Sequence, residues 1–415
     1  MSAPSSSFDE RAGFITELAR RLHLAGVSAA RLEGAVKSTA AAIGVNCEIW
    51  ATPTGLLLSL GDAAKPAAPQ ATRVLRLDPY GPDFTDLVTL DEIADQVIAG
   101  QLGVQEATAM LLAMGRPPSM RERAWTVLAF GLASAAVAGL LRTSWRDIAV
   151  AGVIGLVIGA IEVASRTRPH LAAASEAVAA MVATVLVAAF AHFVAPLSTQ
   201  TVVIAALIVL MPGLSLTTAV AELASQQLVT GTTRFAGAMV ALLKLIFGSI
   251  AGAQIVAALG WTARAAPPAS LPASVEVVAT IAAAFAFAIL FHTQRRDIVL
   301  VMASAILGYV LTRVGGLWFA TEGPSFAGGV FFSSLVMAAL ANVYGLVARR
   351  PGSLVRLPGI MLMVPGSVGF RGLASLMERD YTLGVDTGVA VLGALVALMA
   401  GLLFGSVLVP PRRHL

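Results

Sequence analysis

One cysteine, Cys47, stands in a chain of 415 residues. That scarcity excludes a disulfide framework and any zinc site built from several cysteines. Charge is also thin: 13% of residues are charged, about half the share of a soluble globular protein. With 57% apolar residues and a mean hydropathy of +0.82, a soluble multidomain enzyme of this length is not expected. Met1 to Glu10 is polar and acidic and lacks the apolar core of a signal peptide. The N-terminus is therefore expected to stay in the cytoplasm, where Cys47 remains reduced and reads as a small packing residue. Also missing from the first 118 residues are a Gly-rich phosphate loop after a strand and a nucleophile motif.

The charge that is present is unevenly placed. Residues 1–123 hold 25 charged positions, and residues 124–415 hold 27. The later stretch is net basic by seven, but its arginines fall singly or in pairs between apolar runs. That spacing suits membrane orientation and gives no nucleic-acid footprint.

The opening 118 residues predict a small α+β cytosolic domain. Phe14, Leu18, Leu22 and Ala25 recur at helical spacing, with Gly26 to end that helix and Ser28 to cap a second. Val45–Ala51 and Leu56–Leu60 read as strands around the turn Thr52-Pro53-Thr54-Gly55, with a third strand at Thr72–Leu77. Two amphipathic helices, Asp86–Gly100 and Val104–Met114, follow. His23 reads as a packing or surface histidine and Arg31 with Glu33 as a solvated helix face. A regulatory or assembly role is the expectation.

Ten apolar segments follow, near 122–141, 147–165, 175–195, 200–225, 234–259, 274–293, 298–315, 326–347, 356–377 and 384–409. Each is close to the about 20 residues that cross a hydrocarbon core of roughly 30 Å. With the N-terminus inside, thirteen arginines fall on inner segments and five on outer ones, placing both termini in the cytoplasm of a cell-membrane protein.

An internal repeat organises these segments. Pro212-Gly213 recurs as Pro365-Gly366 at an offset of 153, and Gly231, Gly248 and Gly252 pair with Gly384, Gly401 and Gly405 at that same offset. Arg146-Asp147-Ile148 recurs as Arg296-Asp297-Ile298. Five helices per repeat, an odd number, require the repeats to lie in opposite orientations, the plan of many secondary transporters. The expected fold is a polytopic α-helical membrane protein of about ten transmembrane helices in two inverted five-helix repeats, with domains at 1–118, 119–262 and 263–415.

Pro212-Gly213 and Pro365-Gly366 sit within the fourth helix of each repeat. Proline removes a backbone donor and glycine tolerates the opened chain. A helix restarting there points free N–H groups and a positive dipole end at the midplane, suited to a carboxylate. Ser215, Thr217 and Thr218 after the first break, and Ser367 and Arg371 after the second, complete a candidate substrate site. Glu222 is a candidate partner for an ammonium group or carrier of a coupling proton. Lys244, well inside an apolar stretch, is its candidate counter-charge, and a purely structural Lys244–Glu222 pair is the alternative. Glu162, Glu176 and Glu276 lie nearer segment ends, and Asn342 offers a helix–helix hydrogen bond.

These motifs resemble the threonine/serine exporter family. The front part carries the likeness in the run from Leu24 to Glu33 and in Thr52-Pro53-Thr54-Gly55-Leu56. Later come Pro212-Gly213-Leu214-Ser215, Glu222 and the run Val229 to Arg234. Leu357-Pro358-Gly359-Ile360, the run Val364 to Ser367, and Arg371 complete the likeness. It spans Phe14 to Leu408 and implies ten membrane helices behind a cytosolic domain, exporting small amino acids at the expense of the proton-motive force. Glu222 stands where the family pattern has an aspartate. Some relatives are split in two and resemble dicarboxylate exporters instead, a reading that Lys244 and Arg371 around one site would suit. No catalytic residue carries over, so neither an enzyme nor a cofactor is expected; a membrane-anchored hydrolase or a sensor with its chemistry in the front domain is the contrasting alternative. The expected partners are a small amino acid, protons and the lipid bilayer, and a homo-oligomer is compatible with the sequence.

Overall fold

A computed structural model of the chain describes residues 6–65, 67–78, 81–262, 264, 266, 271–319, 326–363, 366–377 and 381–411. Helix α1 (Phe8–Leu24) opens on a capping box: the Ser7 hydroxyl accepts from the Glu10 amide while the Glu10 carboxylate accepts from the Ser7 amide. Gly26 then turns the chain at φ +74°, and a β-carbon there would sit 2.8 Å from the backbone of Gly81 and Pro82. Both the left-handed conformation and the close approach require glycine. Helix α2 (Ala29–Ala42) leads into an antiparallel sheet ordered β1 (Val45–Thr52), β2 (Gly55–Asp62) and β3 (Ala71–Arg76). Thr52 pairs with Gly55 across the tight turn, and Ile49 with Leu58. Helices α3 (Phe84–Ile98) and α4 (Val104–Ala113) complete the unit. Phe14, Leu18, Leu22, Leu32, Leu58 and Leu60 are fully buried in its own core.

The remaining chain is helical: α5 (Met120–Leu140), α6 (Trp145–Ser165), short α7 (Pro169–Ala172), α8 (Ser175–Phe193), α9 (Thr199–Ala206), α10 (Gly213–Ala224) and α11 (Leu228–Ala258). After these come α12 (Ala273–Leu290), α13 (Ile298–Trp318), α14 (Phe326–Ala348), α15 (Ser353–Met361), α16 (Gly366–Met377) and α17 (Tyr381–Leu408). Among the described residues, eight helices are long and apolar enough to cross a membrane. A ninth span is added if α9 and α10, bent by 55° around a 3-10 turn at Ile208–Leu210, are taken as one. The ninth expected segment, 356–377, corresponds to α15 and α16, which bracket Pro365; that proline and the Ser367 side chain lie outside the described part of the structure.

The glycines spaced 153 residues apart make matching contacts. A β-carbon on Gly248 of α11 would overlap the Ala177 carbonyl of α8, and one on Gly401 of α17 would overlap the Phe331 carbonyl and Ser334 hydroxyl of α14. Gly252 and Gly405 repeat the relation one turn on, against Met181 and Leu335. Small residues thus let helix backbones approach in lipid, where packing rather than water expulsion drives association. Asn342 donates at 2.7 Å to the Val409 carbonyl, one residue past the end of α17, tying α14 to that helix's C-terminus.

The N-terminal unit seats on both parts of the membrane region. Phe84 packs on Phe291 with ring centroids 5.0 Å apart, and its amide donates to the Phe291 carbonyl at 2.9 Å. Asp83 meets His292 at 2.7 Å and Glu92 meets Arg296 at 2.8 Å. On the other side the Thr230 hydroxyl donates to the Ala51 carbonyl at 2.9 Å.

Candidate functional site

The α9 ladder ends at Ala206, and the 3-10 turn at Ile208–Leu210 leads to Pro212, which has no amide to donate and so prevents one continuous helix into α10. Met211 is extended, Pro212 caps α10 without any side-chain bond, and the Gly213 amide turns back onto the Met211 carbonyl at 2.8 Å. The two breaks meet. A β-carbon on Gly366, at the start of α16, would lie 3.1 Å from Gly213 Cα and 3.5 Å from Met211 Cβ. Two glycines therefore face each other where α10 and α16 begin, and a side chain at Gly366 would press on the Gly213 backbone.

Beside this junction lies a cavity of about 490 Å³ between α10, α15, α17 and the start of α2. Of the predicted site residues, Ser215, Thr217, Thr218 and Glu222 line it. Pro212, Gly213 and Gly366 form its neighbouring backbone junction. Thr218 spends its hydroxyl on the Leu214 carbonyl. Thr217 is 1% exposed, and its hydroxyl oxygen has no hydrogen-bond partner among the described residues. A buried hydroxyl left unpaired costs on the order of 1–3 kcal/mol, so this one is available to a bound polar group.

Glu222 and Lys244 do not pair. Glu222, 3% exposed, is gripped by Arg234: Nε donates to Oε2 at 2.9 Å and Nη2 to Oε1 at 3.3 Å. Its Oε1 also accepts from the Ala29 amide at 3.4 Å, at the α2 N-terminus where Ser28 makes no capping bond of its own. Lys244 instead lies 3.5 Å from Glu176 on α8. The reason is geometric: α10 and α11 form a tight antiparallel hairpin turning at Ser225–Gln227, so Glu222 faces Arg234 near the turn while Lys244 lies nearly three helical turns further along. Arg371, on α16, is exposed and is not among the cavity-lining residues.

Arg31 and Glu33 are not a solvated face. Glu33 accepts from the Ala51 amide at 2.9 Å and from the Gln227 amide nitrogen at 3.4 Å, tying α2 to the sheet and to the membrane part. Arg31 lines the cavity, and burial pushes its guanidinium down to about 10. Arg356 enters the cavity from α15. Sequence reasoning placed these two arginines only as a surface charge and an orientation marker. His23 is buried, as a packing histidine should be, and its burial lowers its pKa. Cys47 is half-buried with its thiol pushed up to about 11, which makes it unreactive. Among the described residues no cluster of three His, Cys, Asp or Glu side chains could hold a metal ion.

Two family models match nearly end to end. One described as "Putative threonine/serine exporter" matches residues 13–256, and one described as "Threonine/Serine exporter, ThrE" matches residues 276–408. The chain belongs to the threonine/serine exporter family. Its membership makes it a multi-pass membrane protein of an exporter family, and the resemblance read from the motifs stands. Similar curated proteins include "Pheromone-regulated membrane protein 10" of Candida albicans (strain WO-1), 24% identical over 373 residues, covering 86% of this chain and 33% of that protein. The protein of that name from Yarrowia lipolytica is 24% identical over 262 residues, covering 61% and 21%. The one from Pichia sorbitophila is 22% identical over 387 residues, covering 89% and 38%. The chain thus spans between 21% and 38% of the length of these curated relatives. No solved structure matches.

Proposed function

We propose that this threonine/serine exporter family member is a secondary active exporter of small amino acids, driven by the proton-motive force and built on two inverted five-helix repeats. The observation that carries this reading is the contact of the two helix breaks at Gly213 and Gly366 beside a cavity whose lining includes Ser215, Thr217 and four charged side chains. Irregular backbone at membrane depth is tolerated where protein covers it or a wet cavity adjoins it. The α10 start offers unpaired amides and a positive dipole end for a carboxylate, and the free Thr217 hydroxyl and Ser215 suit the small polar substrates of the class. The matched glycine contacts at offset 153 support the repeat, and alternating access would come from rocking one repeat against the other. The termini and the N-terminal unit lie in the cytoplasm in this reading, so the cavity opens on the side from which an exporter loads. Glu222 is the proton-coupling candidate.

A second reading, export of a dicarboxylate, is favoured by the surplus of positive charge in the cavity, where three arginines face one glutamate. The test is flux from liposomes containing the purified chain, loaded with labelled threonine, serine or succinate and given a pH gradient. Gradient-dependent threonine or serine efflux supports the first reading. Succinate efflux alone supports the second, and no flux of any of the three defeats both.

A further inference from the structure

The cavity holds four charged side chains among the described residues: Arg31, Arg234, Arg356 and Glu222. Arg234 and Glu222 neutralise each other through their two-point contact. That leaves Arg31, on the N-terminal unit, and Arg356, on the broken ninth segment, with no carboxylate partner among the described residues. Both arginines line the same cavity, one from α2 and the other from α15. Two guanidinium groups brought together from elements more than 300 residues apart, in a partly desolvated cavity, repel each other. Folding does not assemble such a pair for stability, because a hydrophobic pair of similar size would pack better. An anion between them removes the repulsion and adds charge-assisted hydrogen bonds from two planar forks.

We propose that Arg31 and Arg356 form a carboxylate clamp, so that the N-terminal unit contributes a ligand-binding residue to the cavity and is held against α15 by the bound ligand. The assignment deepens the export reading and rests on it only for the ligand's identity, since the clamp is read out by binding without any gradient. Nothing in the family likeness or in the relatives' names assigns a binding role to the N-terminal unit. The carboxylate of a zwitterionic amino acid and one end of a dicarboxylate share the chemistry that the clamp reads. The Thr217 hydroxyl and the α10 amides remain for the rest of the molecule.

The experiment is thermal unfolding and calorimetric titration of the purified full chain at pH 7 with L-threonine, L-threoninamide, succinate and inorganic phosphate. The wild type should be stabilised by threonine or succinate and not by threoninamide, which lacks the carboxylate. Arg31→Gln and Arg356→Gln should each weaken that binding by about tenfold or more, the loss of one charge-assisted bond of about 1.5–3 kcal/mol. Arg31→Lys, which keeps the charge without the fork, should fall between. In the absence of ligand Arg31→Gln should melt no lower than the wild type, because it relieves repulsion; a merely structural arginine would lower it. If one variant fails to fold, the other reads the clamp from the opposite side. Stabilisation by phosphate alone, no carboxylate-dependent binding in the wild type, or unchanged binding in both variants would overturn the proposal. Carboxylate binding with no flux in liposomes would leave the clamp standing and defeat the export reading.

Discussion

Replacing Glu222 with Gln keeps the side chain's shape and removes its charge. Arg234 then loses the carboxylate that it grips at 2.9 and 3.3 Å, and the Ala29 amide loses a charged acceptor at 3.4 Å. Breaking a buried ion pair from one side costs about 3–5 kcal/mol. Arg234 retains 23% side-chain exposure and recovers part of its hydration, so the pair should cost about 2 kcal/mol. Weakening the anionic cap on α2 adds up to about 1 kcal/mol. The total of about 3 kcal/mol bears on global unfolding, while the α2 start, held by Glu222 only through the Ala29 amide, should open about fivefold more often for the cap's roughly 1 kcal/mol. Amide hydrogen exchange over residues 27–33 in the purified protein measures that opening. The double variant Glu222→Gln/Arg234→Gln removes both charges and should recover most of the loss, a coupling of about 2 kcal/mol in a double-mutant cycle. Unchanged exchange in the single variant would refute the Glu222 contact as a latch on α2, and strict additivity in the double would refute the ion pair's contribution. Proton-driven flux then separates latch from coupling: a double variant that is stable but silent makes Glu222 more than a latch.

The pH dependence of stability has two limbs. The hydrogen bond to Asp83 raises the His292 pKa above 6.5, so its contribution is complete below that value and is lost as pH rises through the raised pKa. Burial lowers the His23 pKa below 6.5, so its contribution is present above 6.5 and is lost as pH falls through the lowered pKa. Melting should therefore be highest near neutral to mildly acidic pH, with Asp83→Asn flattening the alkaline limb and His23→Asn the acid limb. Gly366→Ala would place its β-carbon 3.1 Å from Gly213 Cα and should cost about 1–2 kcal/mol and most of the flux. Gly393→Ala on α17, with nothing within 4 Å, should be neutral or stabilising by up to about 1 kcal/mol. Gly248→Val and Gly401→Val each overlap a facing helix backbone; matched losses of folded protein on size-exclusion chromatography would support the repeat, and a silent one of the two would count against it.

Local structure was legible because short-range chemistry dictates it. Gly26, Gly44 and the Thr52–Gly55 turn punctuate the N-terminal unit where the structure breaks its elements, and the expected strands fall within two residues of β1, β2 and β3. The first helix break was equally plain, since proline cannot continue an α-helix. Ion-pair partners were not legible. Depth in an apolar run suggested Lys244 as the partner of Glu222, but a hairpin pairs residues by distance from its turn, and Glu222 and Arg234 lie nearly symmetrically about Gln227–Leu228. That arithmetic was available in the sequence. The convergence of Arg31 with Arg356 was not, because it depends on how the N-terminal unit docks across more than 300 residues of chain.

That docking explains why the family's motifs sit where they do. Glu33, Ala51, Gln227, Thr230 and Glu222 all meet at one seam, made of hydrogen bonds at 2.9 to 3.4 Å. The opposite seam has an apolar centre beside its ion pairs: Phe84, Leu87 and Val88 are buried against Phe287, Phe291 and Leu354. In the export reading, where the two membrane parts rock against each other, the N-terminal unit cannot keep both seams. Each buried apolar side chain is worth about 1.5–3 kcal/mol, and each exchangeable hydrogen bond nearer 1 kcal/mol. The polar seam should therefore part first, and the unit should travel with α12, α13 and α15, which also keeps Arg31 beside Arg356. We expect Ser28→Cys and Ser225→Cys, both on the cavity wall, to form a cross-link in a Cys47→Ser background that traps one state and stops flux. A Phe84→Cys and Phe291→Cys cross-link, on the apolar seam, should leave flux intact. The reverse pattern would show that the unit rides with the first membrane part and that the apolar seam is the one that opens.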